Sequence, residues 1–427
     1  MSTKSSILVL FLLGIVLFSC SSPANDKQKF TQAESPEVVG ISSERLARLD
    51  SFIQKNIDKQ KLPNTATFIA INGKIVHHKA FGWKDKEKGI KLSKDDIFRN
   101  ASQTKAVTSV ALMILFEKGY FLLNDHVSKY IPEFANPQVL VTLNEKDSTF
   151  TSRPAKSEIT IKQLLAHTSG ITYENLYYTK AKIPYVNSLD PVTLKDIIPK
   201  LAKLPIKHDP GVAFTYGLNT YVVGYLVEVL SAMPLDKFMK ENIFDPIGMN
   251  DTHFYLPKEK HDRLVKLYAI DGSDSIISLS KNIQNSTYPI AGAQTYFSGG
   301  AGLEGTIEDY AKFCQMLLNG GSFNNKQILG RKTVDIMTTN QIGDLNIWGN
   351  ENKFGLGFEL ITEKGTSSLP GSVGTFKWGG MYRTDYTIDP KEDMVALFYT
   401  NVNPNRHWDF NSLNRILLYQ SLVGPRK

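Results

Sequence analysis

Only two cysteines, Cys20 and Cys314, occur in 427 residues, so no disulfide framework holds this chain together. The eight histidines are dispersed, with no His-Glu-x-x-His and no paired Cys-x-x-Cys, and no metal is expected. A phosphate-binding loop is also missing: Gly299-Gly300-Ala301-Gly302 lacks a following Gly-Lys-Ser/Thr and reads as a turn before a helix capped by Thr306. The net charge of +7 is scattered rather than striped, which describes a solvated surface and not a nucleic-acid footprint. No fixed-period repeat is present. These absences disfavour nucleotide-, metal- and nucleic-acid-dependent chemistry, and no cofactor is expected.

The longest apolar run, Ile7 to Phe18, is too short to span a bilayer comfortably and follows the single early Lys4. Residues 1–19 therefore read as an export signal. Leu17-Phe18-Ser19-Cys20 resembles a bacterial lipoprotein box, in which Cys20 would be lipidated and the protein held at a membrane of the cell envelope; an ordinary cleaved signal or an uncleaved anchor are the alternatives. Residues 20–36, poor in core-forming side chains, are expected to be a flexible tether. Cys314 falls in the apolar series Ile307, Tyr310, Ala311, Cys314, Leu317, Leu318, where a buried inert thiol is expected.

Residues 37–427 remain as the working domain. Ser42 or Ser43 can cap a helix with the apolar face Leu46, Leu49, Phe52, Ile53 and Ile57. Ala66 to Ile71, Asn72-Gly73 and Lys74 to Ala80 carry a strong hairpin signal, because Asn-Gly suits the positive φ values of a type I′ turn. His77-His78 lies on that strand, where a surface or edge role is expected. Strands recur at Thr384 to Ile388 and Met394 to Thr400, followed by an amphipathic helix around Trp408 to Leu422. An α/β (α+β) fold follows: an antiparallel sheet flanked by helices, built from about 37–123 and 290–427, with a mostly helical insertion at about 124–289.

The chemistry centres on Phe98-Arg99-Asn100-Ala101-Ser102-Gln103-Thr104-Lys105. Val107, Val110, Ala111, Ile114 and Leu115 predict a helix with one buried stripe, and Ser102 falls in its first turn. Lys105 then lies one turn above Ser102, so both heads can share a pocket. Desolvation and nearby positive charge would lower the lysine pKa and make it a base for the serine nucleophile. A helix-capping serine followed by a solvated lysine is the alternative reading of these residues alone.

Further stretches resemble one family. Gly119 to Phe134, Ile159-Thr160-Ile161-Lys162-Gln163-Leu164-Leu165-Ala166-His167-Thr168-Ser169-Gly170-Ile171, Pro246 to Thr252 and Gly299 to Tyr310 are similar, in order and spacing, to class C β-lactamases and their esterase and peptidase relatives. The resemblance runs from about Ile41 to the last helix. It implies a β-lactamase/transpeptidase-like fold, with Ser102 as nucleophile and Lys105 as base.

Within that resemblance Tyr216, after Asp209-Pro210-Gly211, matches the family's catalytic tyrosine, and a phenol beside an ammonium can titrate low enough to relay protons. Asn219 stands one place later than the family's substrate-contacting asparagine. Trp378-Gly379-Gly380 occupies the place of the family's Lys-Thr-Gly and resembles its esterase branch, with Lys377 turned to the other face of the strand. The resemblance implies an oxyanion hole from the backbone amides of Ser102 and Met381, and substrate contacts from Trp378, Gly379, Gly380 and Asn219. Without a cation at Trp378, uncharged esters are the expected substrates and β-lactam turnover is expected to be weak or absent; a D-amino-acid-recognising peptidase or amidase, or a non-turning sensor, are the alternatives. Tyr173, Tyr177, Tyr178 and Tyr185 are candidates for a cleft wall. His167 is expected to stabilise its turn rather than act as a base.

Overall fold

The computed structural model describes residues 26–174, 180–184, 186, 188–271, 275–279, 288–404 and 409–424; Cys20 and the leader, with Tyr177, Tyr178 and Tyr185, lie outside them. The strands that matter here are β1 (Thr31–Gln32), β2 (Asn64–Ile71), β3 (Lys74–Asp85), β4 (Ile90–Lys91), β5 (Phe98–Arg99), β6 (Glu304–Gly305), β7 (Lys353–Phe354), β8 (Glu359–Leu360), β9 (Phe376–Gly379), β10 (Asp385–Asp389) and β11 (Met394–Tyr399). The principal helices are α1 (Ser43–Asp58), α2 (Thr104–Glu117), α3 (Asn219–Ser231), α4 (Ile307–Leu318) and α5 (Phe410–Tyr419).

Asn72 and Gly73 take φ values of 53° and 71°, the left-handed pair that a two-residue hairpin needs, and fold β3 back on β2. The far end of the chain then supplies β2's other neighbour: β11 runs antiparallel to it, from Met394 opposite Ile71 to Tyr399 opposite Ala66. The sheet order is β1-β3-β2-β11-β10-β9-β8-β7, with β4 against β3. All its pairings are antiparallel except β1 with β3.

Every residue of β2 and β11 is buried, because helices cover both faces. Phe68, Ala70, Val395, Leu397 and Tyr399 join the core that contains α2 and α4, while Ile69, Ile71, Met394, Ala396 and Phe398 pack with α1 and α5. Burying each large apolar side chain stabilises the fold by roughly 1.5–3 kcal/mol, so this double-sided packing decides where the chain's end goes. Ser42 caps α1, its Oγ accepting from the Arg45 amide at 3.3 Å.

Four expectations need correction. α2 has no solvent face from Thr104 to Leu115, where every residue is buried, and its main helical neighbour is α3. Ser102 lies not in the α-helix but in the 3-10 turn Ala101–Gln103 that precedes it. The tether ends sooner than residue 36: Thr31 and Gln32 pair with Lys74 and Ile75, and Phe30 packs its ring 4.9 Å from Phe68 and 5.4 Å from Phe323. His77 is also buried, bonded through its ring nitrogens to Thr67 Oγ1 at 2.8 Å and Asp50 at 2.6 Å. The stretch 124–289 contains α3 and shorter helices, and also the hairpins Gln138–Asn144/Thr149–Pro154 and Tyr268–Ile270/Ile276–Ser278. Among the described residues no helix is long and apolar enough to cross a membrane.

Candidate active site

Ala101 adopts φ of 47°, a left-handed value costly for a residue with a Cβ, and the chain turns there from β5 into the 3-10 turn that presents Ser102. β5 is itself pinned by β6, with Arg99 opposite Glu304, and the Asn100 amide donates to the Leu303 carbonyl at 3.0 Å. Ser102 is 8% exposed.

Lys105 Nζ lies 3.1 Å from Ser102 Oγ and 2.6 Å from the Gly300 carbonyl oxygen, to which it donates. That carbonyl reaches the lysine only because its segment has no side chains: a Cβ at Gly300 would sit 2.0 Å from the Tyr221 ring, and one at Gly299 would sit 2.6 Å from the Thr220 carbonyl. Thr108 Oγ1 donates to the Gly299 carbonyl at 2.7 Å and fixes the same segment. Burial pushes the Lys105 amine well below its ordinary pKa. Of the two causes expected, desolvation produces this shift and neighbouring positive charge does not. A neutral amine can accept the serine proton while its own hydrogen is held by Gly300.

Tyr216 completes the group. Its ring centroid is 4.8 Å from Lys105 Nζ, its hydroxyl is hydrogen-bonded to Ser102, and Trp378 Nε1 donates to that hydroxyl at 3.3 Å. The expected low titration is reversed: burial pushes the phenol up to about 12, and the bonds to Ser102 and Trp378 offset only part of this. Tyr216 therefore keeps its proton across the neutral range.

The loop carrying Tyr216 is held by the turn at His167. The Thr215 amide donates to the His167 carbonyl at 2.7 Å and the Gly211 amide to the Thr168 carbonyl at 2.7 Å. Asn219 locks the two segments together: its amide nitrogen lies 3.0 Å from His167 Nδ1, 3.1 Å from the Ile171 carbonyl and 3.3 Å from the Thr215 carbonyl, while its oxygen accepts from Ser169. Asn219 is fully buried, so the expected substrate contact is replaced by a clamp beneath the tyrosine loop. His167 is neutral, its pKa held well below the usual range by burial and then by Lys105, and its ring lies 4.9 Å from that of Tyr216.

Opposite Ser102, β9 ends in Gly379 and Gly380. A Cβ on Gly380 would fall 2.3 Å from the Asn100 carbonyl and 2.3 Å from Thr384 Oγ1, so the missing side chain lets this turn lie directly on the serine turn. Gly380 donates to the Thr384 carbonyl at 2.7 Å, and Thr384 Oγ1 donates to the Asn100 carbonyl at 3.1 Å. Met381 packs against Ala101, the neighbour of Ser102, in a small apolar cluster with Leu267 and Tyr382. Lys377 is turned to the other face of β9 and paired with Glu359 at 2.9 Å.

Trp378, expected to offer its face to substrate, is only 7% exposed. Trp348 covers it, stacked at 5.6 Å and 29°, and is itself 64% exposed. Sequence reasoning missed Trp348 and the Gly300 carbonyl. Its only signal was a large aromatic in the polar turn Asn346-Ile347-Trp348-Gly349-Asn350. Tyr173, 5.7 Å from Tyr216 between ring centroids, does line the site. Among the described residues, no group of three or more His, Cys, Asp or Glu side chains is placed to hold a metal ion.

The family model described as Beta-lactamase matches residues 49–420. The chain is 29% identical over 363 residues to Protein Rv1367c of Mycobacterium tuberculosis, covering 81% of this chain and 87% of that one. It is 29% identical over 427 residues to a protein of Escherichia coli K12 named "Putative D-alanyl-D-alanine carboxypeptidase", covering 93% and 91%. Among solved structures, EstCE1, a hydrolase with promiscuous acyltransferase activity, superposes with a TM-score of 0.74 at 24% identity, covering 88% of this chain and 99% of its own. The simvastatin synthase LovD of Aspergillus terreus superposes with a TM-score of 0.74 at 21% identity, covering 90% and 100%.

Proposed function

Because the chain belongs to the beta-lactamase family, whose fold it shares, we propose that it hydrolyses uncharged carboxylic esters through an acyl-enzyme on Ser102. The observation that carries this reading is the buried Lys105 amine, 3.1 Å from Ser102 Oγ, its pKa lowered well below the ordinary value by desolvation. Lys105 takes the serine proton, Ser102 attacks the carbonyl carbon, and the amides of Ser102 and Met381 receive the oxyanion. Tyr216 passes a proton to the departing oxygen, and water entering by the same route frees the acid. No cofactor takes part. Trp378 in place of a lysine, with Lys377 paired on the far face, supports an uncharged substrate over one that carries a carboxylate.

Intact-mass measurement after exposure to a fluorophosphonate tests the nucleophile. One adduct, absent in Ser102→Ala, is expected, together with turnover of a short-chain nitrophenyl ester that the same change abolishes. Wild-type turnover in purified Ser102→Ala would end this reading.

The name of the Escherichia coli relative, which matches over 93% of this chain, favours a second reading, a carboxypeptidase acting on envelope peptides. Release of D-alanine from a muropeptide would support it. We also read Cys20 as a lipid anchor at the cell envelope, to be tested by incorporation of labelled fatty acid that Cys20→Ala abolishes.

A further inference from the structure

Trp348 is a large apolar side chain held open to water beside the reacting groups. It is 64% exposed, and its backbone takes φ of 46°, a value that disfavours residues with a Cβ. The turn that carries it is firmly seated. Ile347 beside it is fully buried, the Asn350 amide donates to the Ile347 carbonyl at 2.9 Å, and Lys353 Nζ donates to the Leu345 carbonyl at 2.9 Å. Three rings support the indole: Trp378 stacked at 5.6 Å, Tyr216 edge-on at 5.6 Å and Phe214 edge-on at 5.7 Å.

Contact with Tyr216 gives this position its meaning. In the acyl-enzyme reading, on which this inference rests, Tyr216 is the group that hands a proton to the departing oxygen, so that oxygen must come to the Tyr216 hydroxyl. Whatever the oxygen carries then lies along the wall that Tyr216, Trp378 and Trp348 share. Trp348 is the exposed member of that wall, and Trp378 lies beneath it. An aromatic face has a negative quadrupole and repels a carboxylate, while it attracts a planar uncharged group.

We infer that Trp348 determines specificity by binding the alcohol portion of the ester, and that this portion is uncharged, apolar and planar. In the step concerned, Ser102 Oγ bonds the acyl carbon and its proton passes to Lys105. The acyl C–O bond breaks, and the alkoxide takes a proton through Tyr216 and leaves as a neutral alcohol.

Benzyl acetate and methyl acetate test this, because both leave the same acetyl group on Ser102 and differ only in the alcohol. In the full chain, Trp348→Ala is expected to lower the benzyl-to-methyl ratio of kcat/KM about tenfold, mainly through KM for benzyl acetate, and Trp348→Phe to restore most of it. An unchanged ratio, or equal losses on both esters, would overturn the inference. The rate at which a small fluorophosphonate labels Ser102 is measured alongside; if wild-type Ser102 is not labelled, the acyl-enzyme reading fails and this inference falls with it. Should Ser102 be labelled while neither ester turns over, protection by benzyl alcohol decides. Protection in wild type that Trp348→Ala abolishes supports the inference, and equal protection in both overturns it.

Discussion

Trp378 donates its indole N–H to the Tyr216 hydroxyl oxygen at 3.3 Å, across 162 positions of sequence. An indole is only a donor, so it occupies a lone pair of the phenol and leaves the phenolic hydrogen for the Ser102 side. The tryptophan of the Trp-Gly-Gly stretch therefore orients the Tyr216 hydroxyl, besides shaping the wall.

Trp378→Phe keeps an aromatic ring in this place but removes the donor, along with part of the buried indole volume. One such bond contributes about 0.5–1.5 kcal/mol, so kcat on a small uncharged ester is expected to fall up to about tenfold with KM nearly unchanged. Steady-state kinetics would show it, and an effect confined to KM would assign Trp378 to substrate contact alone.

The opposed shifts of Lys105 and Tyr216 set the pH profile. Protonation of Lys105 removes the base, so kcat/KM is expected to be lost as pH falls through its lowered pKa. Tyr216, pushed up to about 12, keeps its proton on the alkaline side and adds no limb in the neutral range. An alkaline limb near pH ~8 that Tyr216→Phe abolishes would contradict this arrangement.

Gly380→Ala forces a methyl to within 2.3 Å of the Asn100 carbonyl and of Thr384 Oγ1. The turn carrying Met381 must then move off the serine turn. Displacing an oxyanion donor costs about two to three orders of magnitude in rate, and that loss is expected here while circular dichroism stays native. Activity within twofold of wild type would place the oxyanion contact elsewhere.

Asn219→Ala leaves Ser169, His167 and two carbonyls without their buried partner. A loss of about 2–4 kcal/mol in unfolding free energy is expected, read by urea titration, because each orphaned polar group costs about 1–3 kcal/mol and relaxation recovers part. Unchanged stability with a raised KM would return Asn219 to the substrate.

Asp385 lies across the strand pair from Gly379, its carboxyl pushed up to about 6 by burial, with Lys377 opposing and Glu359 adding to the shift. The folded state then holds more protons than the unfolded one between about pH 4 and pH 6, so stability falls as pH rises through that window. Asp385→Asn is expected to stabilise the protein by about 1–2 kcal/mol at pH ~8 and by nothing at pH ~4. Thermal melts at both values would reveal an opposite trend.

Local chemistry is legible in the amino-acid sequence by itself. Asn72-Gly73 specifies its hairpin because few other pairs tolerate two left-handed residues, and Ser42 marks the start of α1 because its hydroxyl replaces a missing helical partner. Ser102 and Lys105 are three residues apart, so their closeness is a local feature, made by a 3-10 turn running into α2. Tertiary structure decided what depends on distant segments: that Gly300 presents its carbonyl to Lys105, that Asn219 clamps a loop instead of meeting substrate, and that Trp348 covers Trp378. It also decided the direction of the Tyr216 shift, because desolvation is set by everything packed around a group and cannot be read from its neighbours in sequence.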